Sequence, residues 1–291
     1  MTSIKKLLAA IDFSDDSRNA ISRASRLAAE HDARLDILHV ISESFLQAFE
    51  EVCRPPACDE FVLFENTRRM LDELSSKYVG DTGIDTIVSV KKGLVVEEIL
   101  SASEHSDLLV LGERGWNPLR DILIGTTAER LLKRSTRPVL VVKRPAESAY
   151  RRVIVPVDLT SDSDIALRTA MLIAPTADIS VVHAFGTPLE GKLWLADVPE
   201  EQMEEYRGQV RQRALDKIAV LLKEVHGKGR AITPYIEKGD AASVILDKEE
   251  ALGADLIVIG KRRRSYIGEL LLGSVTRHVL ASSKCDVLVV H

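Results

Sequence analysis

Residues Lys6–Ser17 read KLLAAIDFSDDS, and residues Arg152–Ser163 read RVIVPVDLTSDS. Each is an apolar run closed by an aspartate, Asp12 or Asp158, and followed at once by small polar residues that favour a helix start. Working outward from them, further landmarks return in the same order. Ser106–Gly112 (SDLLVLG) matches Ala254–Gly260 (ADLIVIG), and Leu123–Arg134 (LIGTTAERLLKR) matches Leu271–Ser282 (LLGSVTRHVLAS). Pro138–Lys143 (PVLVVK) matches Asp286–His291 (DVLVVH), and Lys92-Gly93 matches Lys238-Gly239. Landmarks that recur in one order mark a duplication. The chain therefore divides into domains over 1–145 and 150–291, joined by the short polar stretch Arg144–Tyr150.

Within the first repeat, the apolar strand that ends at Asp12 leads into a helix with Ser14, Asp15 or Asp16 as its cap. That helix has Ala20, Ile21, Ala24, Leu27 and Ala28 at helical spacing. A second strand runs Arg34–Val40. Ile41–Phe64 reads as irregular, because Pro55-Pro56 breaks any regular element there. A helix follows over Glu65–Tyr78, a strand over Thr86–Val90, a helix over Val95–His105 and a strand over Leu108–Leu111. A last helix begins after Gly125, and a last strand covers Val139–Val142. Strands alternating with helices predict an α/β fold, a doubly wound parallel sheet in each repeat with right-handed crossovers. The near-continuous apolar runs suit strands buried on both faces. Ligands of such sheets bind beyond the carboxyl ends of the strands, where strand order reverses. Those ends carry Asp12, Val40 and Gly112 in the first repeat and Asp158, Ala184 and Gly260 in the second.

After the fourth strand the first repeat reads Gly112-Glu-Arg-Gly115, nine residues, then Gly125-Thr126. Glycines let a backbone approach a phosphate chain closely. Thr126 falls where a helix N-cap belongs, and the free amides and dipole at that end attract anions. Taken singly, a glycine after a strand and a threonine cap are ordinary features. Together, in a strand–loop–helix context and again in a second copy, they point to a phosphate-bearing ligand.

This constellation resembles the universal stress protein family. That family carries a Gly, two residues, a Gly, nine residues and Gly-Ser or Gly-Thr around the ribose and phosphates of ATP. Gly112, Gly115, Gly125 and Thr126 match it without a gap. Asp12 matches the family's strand-end aspartate, and Val40 its adenine-side valine. The resemblance covers essentially the whole chain, twice. It implies two Rossmann-like five-stranded parallel sheets, of the adenine nucleotide alpha hydrolase-like kind, packed as an intrachain pseudo-dimer through their last strands. It also implies ATP with Mg²⁺ as cofactor, held in the first repeat by Asp12, Val40, Gly112, Arg114, Gly115, Gly125, Thr126 and Thr127. In the second repeat the corresponding residues are Pro156, Asp158, Gly260, Arg262, Gly273, Ser274 and Val275. Arg263 stands there at the second glycine position, within the cationic run Lys261–Arg264. That run is either a solvated loop or an altered anion site. ATP is accordingly placed first in the first repeat.

Composition narrows the function classes. The net charge of −5 argues against a nucleic-acid binder, which needs a basic field. No apolar stretch approaches a membrane span. Three cysteines, an odd and sparse count, fit a reducing cytoplasm. Cys53 and Cys58 lack the close spacing of a zinc site. His39 and His183 occupy matching positions in the second strands and read as structural. Trp194 and Leu195, in an irregular segment, read as a loop anchor in the core, the alternatives being a ligand cover or a partner surface. Glu200–Val225 reads as a long helix with Ile218, Val220, Leu221, Leu222 and Val225 on its buried side. No Ser-His-Asp order, His-Glu-x-x-His pattern or P-loop lysine occurs.

Three readings follow. One is an ATP-binding cytoplasmic stress regulator with an unidentified protein partner, as monomer or homodimer. Another is a slow ATP hydrolase, for which Glu113 is the nearest base. The third is a nucleotide-free interaction module.

Overall fold

The computed structural model describes residues 3–52, 59–80, 82–115, 125–160, 163–187, 190–225, 232–261 and 272–290. Cys53, Cys58, Arg262, Arg263 and Arg264 lie outside the described residues, so the expectations placed on them are not addressed by it.

The first repeat forms β1 (Lys6–Ala10), α1 (Asp15–His31), β2 (Arg34–Ser42), α2 (Glu43–Val52), α3 (Glu60–Val79), β3 (Thr86–Gly93), α4 (Val95–Ser103), β4 (Leu108–Gly112), α5 (Thr126–Arg134) and β5 (Val139–Val142). The second forms β6 (Arg152–Pro156), α6 (Ser163–Ile173), β7 (Asp178–Phe185), α7 (Glu190–Leu195), α8 (Glu200–Val225), β8 (Ile232–Lys238), α9 (Ala241–Leu252), β9 (Leu256–Gly260), α10 (Ser274–Ser282) and β10 (Asp286–Val290).

Two compact units result, one taking in Met1–Ala149 with Lys284–Val289, the other Tyr150–Arg262 with Gly273–Ser283. In the first, the strand order is β3-β2-β1-β4-β5-β10. The first five strands are parallel. β10 lies antiparallel to β5 through Val287↔Val141, Leu288↔Leu140 and Val289↔Val139, the pairing of last strands that the family resemblance implies. Asp286 fixes β10 there. At 1% exposure, it accepts the Lys143 N–H at 2.9 Å and Arg23 Nε at 3.2 Å. Arg23 also donates from Nη1 to the Ser148 carbonyl at 2.8 Å, so α1 grips the joining segment as well. In the second unit the order is β9-β6-β7-β8, all parallel.

The order places the switch point between β1 and β4 in the first unit and between β6 and β9 in the second. Leu7–Ala9, Leu108–Leu111 and Val139–Val142 are buried, as strands covered on both faces must be. With right-handed crossovers, α1 and α3 cover one face of the first sheet, and α4 and α5 the other. The helical face predicted for α1 is buried, and Ser14 caps the helix by accepting the Ser17 N–H.

Several boundaries differ from the sequence reading. The segment read as irregular after β2 contains α2, and α3 begins five residues before the expected Glu65. There Asp59 Oδ1 accepts the Phe61 N–H at 2.9 Å and starts the helix. β2 runs two residues past Val40, pairing Ser42 with Gly93, so Val40 lies inside the strand, not at its end. Trp194 does not anchor a loop in the core: it sits on α7 and is 75% exposed. α8 has the expected bounds, but Val220 points outward while Met203, Ala214 and Ile218 are buried and Leu221 and Leu222 half-buried. The Val225 side chain lies outside the described residues. Among the described residues, no helix is long and apolar enough to cross a membrane.

Candidate nucleotide site

Just beyond β1, Asp12, Phe13 and Ser14 form a tight turn. Asp12 Oδ1 accepts the Ser14 N–H at 3.1 Å and the Ser14 hydroxyl at 2.5 Å. Phe13 takes a left-handed φ of 69°, a cost for a side chain with a Cβ that the turn must offset. The second unit repeats the device. Asp158 Oδ1 accepts the Thr160 N–H at 3.1 Å, the Thr160 hydroxyl at 2.5 Å and the Ser163 hydroxyl at 3.2 Å, with Leu159 at φ 60°.

The two matching histidines support these turns from the neighbouring strand. His39 Nδ1 lies 2.7 Å from the Ile11 carbonyl, and His183 Nδ1 lies 2.8 Å from the Val157 carbonyl. A carbonyl only accepts, so each Nδ1 carries the proton. Burial pushes the His39 pKa below its ordinary value, against the opposing pull of the Ile11 carbonyl and the Asp12 charge. The structural reading of both histidines holds.

The Gly112–Gly115 loop lies on the first turn of α1. A Cβ on Gly112 would stand 2.6 Å from the Asp16 carbonyl carbon and 2.8 Å from Ser17 N. A Cβ on Gly115 would stand 2.6 Å from Asp12 Oδ2. Gly112 needs glycine because backbone atoms already occupy the space, whereas a Cβ on Gly115 would meet the tip of the Asp12 side chain, so the loop backbone reaches within contact of that carboxylate. Asp16 Oδ2 ties the loop down by accepting the Arg114 N–H at 3.1 Å. Burial raises the Asp16 pKa. The Arg114 hydrogen bond opposes this, and the neighbouring Glu113 charge adds to it. Glu113 in turn pairs with Lys143 at 2.9 Å, a lysine whose side chain is 4% exposed.

The loop returns at Gly125, whose N–H donates to the Glu113 carbonyl at 3.0 Å. Gly125, not Thr126, is the N-cap of α5; Thr126 is the first helical residue. No side-chain oxygen caps this helix, in contrast to Ser14 on α1. Among the described residues, no hydrogen bond takes up the amides of Thr126, Thr127 or Ala128. That leaves an N-terminus open to an anion. Thr127 also lines a cavity of about 540 Å³ with Ser42, Glu43, Gly93, Arg130 and Arg134, in the size range of small-molecule sites. Asp12, Val40, Gly112, Arg114 and Gly115 do not line it, so the cavity reaches the start of α5 but does not contain the turn.

In the second unit, Pro156 ends β6, Gly260 ends β9, and Gly273 is the bare N-cap of α10, with Ser274 and Val275 in its first turn. The chemistry differs beside Gly260. Lys261, 3% exposed, stands where the first repeat has Glu113 and donates its N–H to the Val290 carbonyl at 2.7 Å. The aligned position thus carries an acid in the first repeat and a base in the second. Sequence reasoning missed the Glu113–Lys143 pair and the burial of Lys261. Their signal was the Glu-to-Lys difference at aligned positions. Among the described residues, no group of three or more His, Cys, Asp or Glu side chains is placed to hold a metal ion.

The profile of the universal stress protein family matches residues 3–143 and again 149–291. A universal stress protein of Mycolicibacterium smegmatis is 27% identical over 307 residues, spanning 98% of this chain and 96% of its own. Universal stress protein A homolog 1 of Coxiella burnetii is 35% identical over 140 residues, 47% of this chain and 95% of its own. In fold, the chain is similar to the crystal structure of a universal stress protein from Archaeoglobus fulgidus. The TM-score is 0.70 at 21% identity, over 98% of this chain and 97% of that one.

Proposed function

Because the chain belongs to the universal stress protein family in both halves, we propose that it is a cytoplasmic regulator that binds ATP, with Mg²⁺, in its first unit. The observation that carries this reading is a convergence at the first unit's switch point. The Asp12 carboxylate, a loop packed closely enough to require glycine at Gly112 and to bring Gly115 against that carboxylate, and the start of α5, which no side chain among the described residues caps, meet there. Asp12 and Val40 would hold the nucleoside end. Gly112, Arg114, Gly115 and Gly125 would let the chain run along the ribose and phosphates, and the amides and hydroxyls of Thr126 and Thr127 would take the phosphate oxygens. ATP supplies a polyanion and an aromatic base; its role is that of a ligand favouring one conformation over another. The cytoplasmic placement rests on the sparse, odd cysteine count.

The second unit keeps the Asp158 turn and the bare cap of α10. Lys261 and Arg263 replace an acid and a glycine there. Pro156, Asp158, Gly260, Arg262, Gly273, Ser274 and Val275 are therefore assigned to an anion site of altered character. Thermal denaturation with and without MgATP tests the proposal. Binding should stabilise the folded chain by about 2.7 kcal/mol at a hundredfold excess over Kd. An unchanged transition at millimolar MgATP would leave the nucleotide-free interaction module as the better account.

A further inference from the structure

We propose that α7 and the start of α8 form a docking surface for a protein partner bearing an apolar pocket rimmed with lysine and arginine. Trp194 and Leu195 are 75% and 77% exposed, and tryptophan is enriched among the buried anchors of interfaces. The short helix that carries them is held at both ends. At its start, Glu190 accepts Arg207 at 2.5 and 2.9 Å, Lys238 at 2.5 Å and the Thr187 hydroxyl. At its end, Val198 N–H donates to the Leu193 carbonyl at 3.1 Å and Asp197 N–H to the Trp194 carbonyl at 3.0 Å. Asp197 lies in the left-handed region at φ 54°. These are the two bonds of a Schellman stop. The pair is therefore displayed on a fixed turn, and a preorganised anchor loses little entropy on binding.

Charge names the partner. Asp197, Glu201, Glu204 and Glu205 are exposed in the segment that follows the apolar pair, Glu200 is paired with Arg207, and Lys192 is the one cation between positions 192 and 205. Such a rim attracts a basic surface and repels another copy of itself. This inference is independent of the nucleotide reading.

The test places a photo-crosslinker in the full-length chain, Leu195→p-benzoylphenylalanine, in the cells that make it. Each adduct is identified by mass spectrometry, and the captured protein is then purified and titrated against the intact chain. The expected result is a captured protein that binds the purified chain. Its affinity falls at least about tenfold for Trp194→Ala. It falls again as salt rises or when Glu201, Glu204 and Glu205 are changed to lysine. Circular dichroism melts show that both variants fold. Absence of any adduct would overturn the proposal. So would adducts solely to a second copy of the chain, or a captured protein whose binding ignores Trp194 and the carboxylates.

Discussion

Placing a methyl group on Gly112 tests whether the loop packs on α1 as described. The added Cβ would stand 2.6 Å from the Asp16 carbonyl carbon, 2.7 Å from its oxygen and 2.8 Å from Ser17 N. All three are backbone atoms in the first turn of a helix. That turn is held by the Ser14 cap and by the Arg114–Asp16 bond, so no side chain can swing aside. Either the turn shifts and loses its cap, or β4 moves in a close-packed sheet. Overpacking of this kind costs about 1–3 kcal/mol. For a unit of this size that lowers the melting temperature by roughly 2–12 °C, at about 2–4 °C per kcal/mol. Scanning calorimetry of Gly112→Ala reads the change directly. A Gly112→Ala protein as stable as the parent would refute the packing.

Removing the buried carboxylate by Asp286→Ala leaves the buried Arg23 charge without its ion-pair partner Asp286, and urea unfolding should show a loss of about 3–5 kcal/mol. The double variant Arg23→Met/Asp286→Leu should lose far less. The depressed pKa of His39 makes the unfolded chain bind the extra proton below the ordinary histidine value of about 6.5. Its contribution to stability is therefore complete above that pH and falls as the solution is acidified toward the folded pKa. His39→Gln should flatten this part of the stability–pH curve, measured by denaturant unfolding. The Glu190 carboxyl, lowered to about 2 by Lys238, Thr187 and Arg207, should keep its charge through mild acid in a ¹³C NMR titration. Glu190→Ala should lower the fluorescence anisotropy of Trp194 in a Trp116→Phe background by loosening α7.

The repeat, the alternation of strands with helices and the buried strands could be read from sequence because they rest on long apolar runs and on landmarks that occur twice; the strand order came from the structure. Local helix starts were harder. Pro55-Pro56 drew the whole stretch after β2 toward an irregular reading, although the amphipathic ESFLQAFEEV of α2 and the Asp59 cap were present. At Gly125-Thr126, side-chain preference favours threonine as the cap. The chain puts glycine there, and among the described residues nothing takes up the first amides, which only the backbone geometry reveals. The aspartates Asp12 and Asp158 and the glycines Gly112 and Gly125 were legible because they recur, the glycines as Gly260 and Gly273. The close approach of Gly115 to Asp12 Oδ2 was not, since the two lie far apart in the chain. Trp194 was misplaced because burial is the usual fate of tryptophan, and nothing in its neighbours marks a helix turned outward.

Isothermal titration of MgATP into the intact chain and into Gly115→Arg tests the central claim most directly. The variant copies the second repeat's departure into the first, where Asp12 Oδ2 already fills the space. The account predicts binding in the intact chain, with the first-unit site lost in the variant. Equal binding by both proteins would contradict it.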